Sequence, residues 1–64
     1  MITIDRQMIV ITKFNKILSI KDDCVCLDYL KMKLEIIGSN LQIVYLTKDD
    51  LEIHGVIHKV EFYE

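Results

Sequence analysis

An all-β fold is what this 64-residue sequence predicts: a single small domain, 1–64, of short, mostly antiparallel strands joined by hairpins into a meander. Three observations carry that expectation. Apolar residues recur with a period of two rather than 3.6. Two Lys-Asp-Asp triplets, at 21–23 and 48–50, each separate a pair of apolar runs. Ile, Val, Tyr, Phe and Thr are abundant while alanine and tryptophan are absent, a composition suited to a pleated surface. About six to eight strands fit the length.

Taken in order, Ile2-Thr3-Ile4 alternates, and Ile9 and Ile11 share one parity. Leu18 and Ile20 alternate with Ser19 and Lys21. Lys21-Asp22-Asp23 then reads as a short hairpin loop, because aspartate tolerates the left-handed region and bonds to its own backbone. Val25, Leu27 and Tyr29 alternate with Cys24, Cys26 and Asp28. Leu30, Met32, Leu34 and Ile36 form a longer single-parity series. A helix over 27–37 competes there, since Leu27, Leu30 and Leu34 also fit helical spacing and the residues are good helix formers. Ser39-Asn40 after Gly38 is a turn candidate, and Phe14-Asn15-Lys16 a weaker one. Leu41, Ile43 and Tyr45 follow, then Lys48-Asp49-Asp50, then Leu51 and Ile53, then Val60 and Phe62.

The phrase Leu34-Glu-Ile-Ile-Gly38 returns 17 positions later as Leu51-Glu-Ile-His-Gly55, and these are the two glycines of the chain. Apolar parity is even before Gly38 and odd after it, and it switches again between Ile57 and Val60. A strand that keeps one face on the core cannot change parity without an irregularity. Gly38 and Gly55 are therefore expected at structural corners, where glycine accepts positive φ without steric cost. The same interval relates Ile9, Cys26, Ile43 and Val60, which leaves a short β-solenoid with a 17-residue coil as the alternative fold.

A chain of this size buries only about 60% of the surface its unfolded form exposes. Yet 52% of the residues are apolar, so part of that surface is expected against another subunit. The net charge of −2 lacks the basic footprint of a nucleic-acid or anionic-membrane surface. The longest apolar runs are far short of the roughly 20 residues that cross a bilayer, and the N-terminus has no secretion pattern. The expectation is a cytoplasmic protein, without direct membrane insertion, held at a membrane only through a partner.

No constellation of nucleophile, base and orienting group occurs, so no catalytic residue, cofactor or metal site is expected. Cys24 and Cys26 lie on one strand face about 6.5–7 Å apart, awkward for a disulfide, and read as free thiols acting as small hydrophobes. His54 and His58 flank Gly55; a pH-sensitive or metal pair is weighed there against two solvent-facing strand residues, and the second reading is preferred. Asp22-Asp23 and Asp49-Asp50 lack calcium-loop spacing and read as solvated turns.

Residues 34–62 resemble the YabP/YqfC family of bacterial sporulation proteins. The matching positions are Leu34, Ile36, Gly38, Leu41, Ile43 and Leu46, then Leu51, Ile53, Gly55, Ile57, Val60 and Phe62. The order and spacing of these twelve make the pattern specific, and the opening strands resemble the family more loosely. The family usually carries a glycine shortly before the first Leu-x-Ile-x-Gly; this chain has Tyr29-Leu30-Lys31-Met32 there. The resemblance implies a small, non-enzymatic protein of the mother cell in a sporulating bacterium, with a membrane-anchored sporulation protein as partner. The expected function is that of an assembly module, a homo-oligomer that presents a strand such as Val60-Glu61-Phe62-Tyr63. The runner-up is a small β-barrel that binds nucleic acid through aromatics.

Overall fold

The computed structural model describes residues 1–64 and contains strands and turns but no helix. Six strands follow in order: β1 (Ile2–Ile4), β2 (Met8–Thr12), β3 (Lys16–Ile20), β4 (Cys24–Tyr29), β5 (Met32–Leu46) and β6 (Asp50–Tyr63). They form one antiparallel sheet in the order β1-β2-β6-β5-β4-β3. Four of its five pairings join consecutive strands, which is the expected meander; β2 beside β6 is the one distant pairing. The antiparallel ladders overturn the solenoid alternative. Ile9 lies opposite Ile53, Cys26 opposite Glu35 and Val60 opposite Ile36, so the 17-residue interval does not stack. The sheet stays open between β1 and β3, so the barrel of the runner-up reading does not form.

Two strands are not short. β5 has 15 residues and β6 has 14, and each serves two half-sheets in turn. The first part of β5 lies between β4 and the last part of β6. Its second part pairs with the first part of β6, which in turn pairs with β2. Ile9, Ile11, Leu51 and Ile53 from one half and Val25, Leu27, Tyr29, Leu34 and Ile36 from the other meet in a single buried cluster with Phe14 and Leu41. The alternation in β2 and β4 places every second residue there. Each fully buried aliphatic side chain contributes roughly 1.5–3 kcal/mol.

The sheet bends where the two glycines meet. A Cβ on Gly38 would lie 1.9 Å from the Val56 carbonyl oxygen, and one on Gly55 would lie 2.6 Å from that of Asn40. Each glycine thus accepts the backbone of the other strand at one crossing, which is why the phrase is written twice. Only Gly55 has a positive φ, 140°; the other left-handed residue of the corner is Asn40, at 53°. Gly38 is required by close approach, a correction to the expectation that both glycines serve the dihedral. The ladder slips between Ile37 and Gly38 and again between Ser39 and Gln42, the parity changes seen in the sequence. Ser39-Asn40 is therefore a bend inside β5 and not a turn between strands. Both β3–β4 loop aspartates brace it: the Gly38 N–H donates to the Asp23 carbonyl at 3.0 Å and the Leu41 N–H to that of Asp22 at 2.7 Å. A further slip between Ile43 and Tyr45 turns Tyr45 outward, against the parity read for it.

Residues 27–37 are strand, turn and strand. β4 ends at Tyr29 and β5 begins at Met32. Leu30 and Lys31 between them have φ of 50° and 66°, the sign pair of a type I′ hairpin. Leu30, read from parity as a core residue, is 70% exposed at this turn. The missing family glycine falls in this stretch. Left-handed backbone costs a non-glycine residue about 1–2 kcal/mol. Replacing Leu30-Lys31 by Asn-Gly should therefore raise unfolding stability by about 1–2 kcal/mol in urea titrations. A loss of stability would show that Leu30 contributes through packing.

Candidate functional site

Where β6 outruns β2, it leaves an edge. The β2 ladder ends at Met8 opposite His54. Two further bonds, from the Gly55 N–H to the Gln7 carbonyl and from the Ile57 N–H to the Arg6 carbonyl, carry that side to residue 57. From His58 onward β6 pairs with β5 alone. Its pairing with β5 is unbroken from Lys59 to Tyr63, opposite Ile37 to Lys33. The other open edges are poorer templates. β1 has three residues, β3 is interrupted by a bulge at Leu18, and the second part of β5 slips near Val44. The four residues picked from sequence, Val60, Glu61, Phe62 and Tyr63, all lie on the regular one.

A shallow, open groove of ≈ 550 Å³ runs along this edge, between Ile4, Asp5 and Arg6 on one side and Ile57 to Val60 on the other. Val60 packs on the core, while Phe62 is 47% exposed beyond it. Eleven large apolar side chains remain exposed, as many as the core contains, so the excess inferred from composition is present on the surface.

On the opposite face Lys59 pairs with Glu61. Glu61 is held below the usual carboxylate range, first by the Lys59 hydrogen bond and then by that of Tyr63. Lys59 is raised in turn, chiefly by the same bond. The contribution of the pair is therefore present at neutral pH. It is lost as pH falls through the lowered Glu61 value or rises through the raised Lys59 value. The single proton of the Tyr63 hydroxyl is shared between Glu61 Oε2, at 2.9 Å, and Glu35 Oε1, at 3.0 Å, and the two carboxylates hold it well above its ordinary pKa.

Sequence reasoning missed Glu35. The hairpin at 30–31 sets it opposite Cys26, and its Oε2 lies 3.6 Å from Cys26 Sγ and 3.8 Å from Cys24 Sγ. The two sulfurs are 3.8 Å apart, half-buried and unbonded. Burial, then the Cys24 thiol and then the Glu35 carboxylate push the Cys26 thiol up to about 11. The thiols do not act as core hydrophobes, since they face outward into this acidic cluster. The reading was out of reach without the two-residue turn, because that turn fixes which residue of β5 opposes each cysteine.

His54 and His58 are both exposed, and His54 Nε2 lies 2.6 Å from Glu52 Oε2. Asp22 and Asp23 are exposed in their loop and brace the corner through their carbonyls. No helix is long and apolar enough to cross a membrane.

No curated protein and no solved structure gives a significant match to the chain. A family profile does, over residues 1–64 and thus through both long strands, the glycine corner and the free edge of β6; the chain belongs to the YabP family.

Proposed function

We propose that this sporulation-related chain is a non-enzymatic assembly module. It pairs with a second copy of itself through residues 58–62 of β6. The pair then presents its remaining apolar surface to a membrane-anchored sporulation protein in the cytoplasm of the mother cell. The observation behind this reading is the regular, unprotected edge from Lys59 to Tyr63. Its main-chain donors and acceptors are a template for a further strand.

Charge pattern favours a second copy as that strand. In an antiparallel pair centred on Val60, Lys59 of one chain faces Glu61 of the other, twice. Val60 meets Val60 on the inner face. Opposite charges at such cross-strand positions stabilise by about 0.2–1 kcal/mol a pair. The edge is therefore complementary to itself. A non-enzymatic role fits the placement of the polar clusters, which lie on open sheet surface rather than around an enclosed cleft.

The test is sedimentation velocity across micromolar concentrations, with amide hydrogen exchange measured at both ends of the range. The expected result is a monomer–dimer equilibrium in which protection from Lys59 to Tyr63 rises with concentration. A single monomeric species throughout, with exchange of those amides independent of concentration, would remove the proposal and leave the family assignment intact.

A further inference from the structure

We propose that Cys24, Cys26 and Glu35 form a zinc site on the outer face of the β4–β5 hairpin, with Tyr63 positioning the carboxylate. The sequence alone led to the opposite expectation, because two cysteines are too few ligands for a closed site. The fold supplies a third.

The donor spacing is that of a coordination sphere. Two sulfurs bound at ~2.3 Å with a tetrahedral angle between them lie ~3.8 Å apart. Cys24 Sγ and Cys26 Sγ are 3.8 Å apart. A sulfur at ~2.3 Å and an oxygen at ~2.0 Å, similarly disposed, lie ~3.5 Å apart. Glu35 Oε2 is 3.8 and 3.6 Å from the two sulfurs. The three donors therefore form a triangle that one tetrahedral ion can cap with little movement. All lie within 4.8 Å of one another and are half-buried, so water and ions reach them.

The carboxylate is also oriented. Glu35 Oε1 accepts from the Tyr63 hydroxyl at 3.0 Å, which leaves Oε2 turned to the sulfurs. Such partners fix the ligand and are worth 10–100-fold in metal affinity. The positions follow from the ladder: Cys26 opposes Glu35, which opposes Glu61, two residues before Tyr63. Regular strands thus set the geometry, and a preorganised site loses little entropy on binding.

The donor set selects the ion. Thiolates favour zinc or cuprous copper, and a carboxylate favours harder ions; zinc accepts both. Binding one Zn²⁺ to two thiols and a carboxylate releases two protons, so affinity should fall as pH is lowered. Three protein ligands leave a fourth position open, as in zinc sites that bind water or an incoming group.

The test is titration of the reduced, full-length chain with Co²⁺ and then Zn²⁺. Absorbance reports thiolate-to-cobalt charge transfer, and calorimetry reports stoichiometry. The expected result is one Co²⁺ per chain with a charge-transfer band, displaced by one equivalent of Zn²⁺. Cys26→Ser should weaken the band and lower zinc affinity at least about 100-fold, and replacing both cysteines by serine should abolish the band. Glu35→Gln and Tyr63→Phe should each weaken it about 10–100-fold while keeping the sulfur band. Thermal melting of each variant without metal controls for folding, and the outward placement predicts little change. Absence of the charge-transfer band overturns the proposal. So does zinc binding that Cys26→Ser leaves at full strength, which would place the ion on His54 or His58 instead.

Discussion

Gly38→Ala should unfold the protein or leave it marginal at room temperature. The added Cβ would sit 1.9 Å from the Val56 carbonyl oxygen, a separation no Cβ tolerates, and the obstacle is backbone rather than a side chain that can swing away. Relief requires β5 and β6 to part at the corner. That exposes the crossing on which both half-sheets depend. Overpacking ordinarily costs about 1–3 kcal/mol and sometimes more. A core of this size supplies about 3–5 kcal/mol in all. Gly55→Ala should be nearly as damaging, since it combines a 2.6 Å approach to the Asn40 carbonyl oxygen with a φ of 140°. Urea denaturation followed by circular dichroism measures both. A loss below about 1 kcal/mol in either would mean that the corner opens without penalty.

Lys59→Glu should weaken self-association about 10–100-fold while leaving each monomer folded. In the parallel-free, two-fold pairing centred on Val60, the substitution turns two attractive cross-strand contacts into two repulsive ones. Each swings by about 1 kcal/mol, and 1.4 kcal/mol is a factor of ten in the dissociation constant. The residue is exposed on the outer face, and its only ion pair is with Glu61 on the same strand. Surface pairs of that kind contribute little to stability. The dissociation constant should therefore move much further than the melting temperature. Equal changes in both would point to general loss of structure.

Much of the fold was legible because antiparallel strands with one buried face write themselves as alternation. Val25, Leu27 and Tyr29 alternate in sequence and in burial, and the Lys-Asp-Asp triplets fall at the two hairpins where β3 meets β4 and β5 meets β6. The glycine corner was legible from the parity changes around it. What stayed hidden was the turn at Leu30-Lys31, since neither residue is a turn former and both continue an apolar–polar alternation. That turn sets the register of β5 on β4, and without it Glu35 has no visible relation to Cys26. The interaction strand was picked from its terminal position, with no proline and only Glu61 and Glu64 as gatekeepers. Its status as an edge follows from something periodicity does not contain, namely that β2 is too short to accompany β6 past Ile57.

Self-association through the β6 edge is the central claim, and exchanging its two charges tests it most directly. Sedimentation equilibrium should be run on the parent, on Lys59→Glu, on Glu61→Lys and on the double variant carrying both substitutions. Each single variant places like charges opposite one another across the two-fold, whereas the double variant restores opposite charges with their order reversed. The account predicts weakened dimers for both single variants and a dissociation constant within a few-fold of the parent for the double. A double variant as weak as the sum of the singles, or dimers indifferent to all three changes, would contradict it.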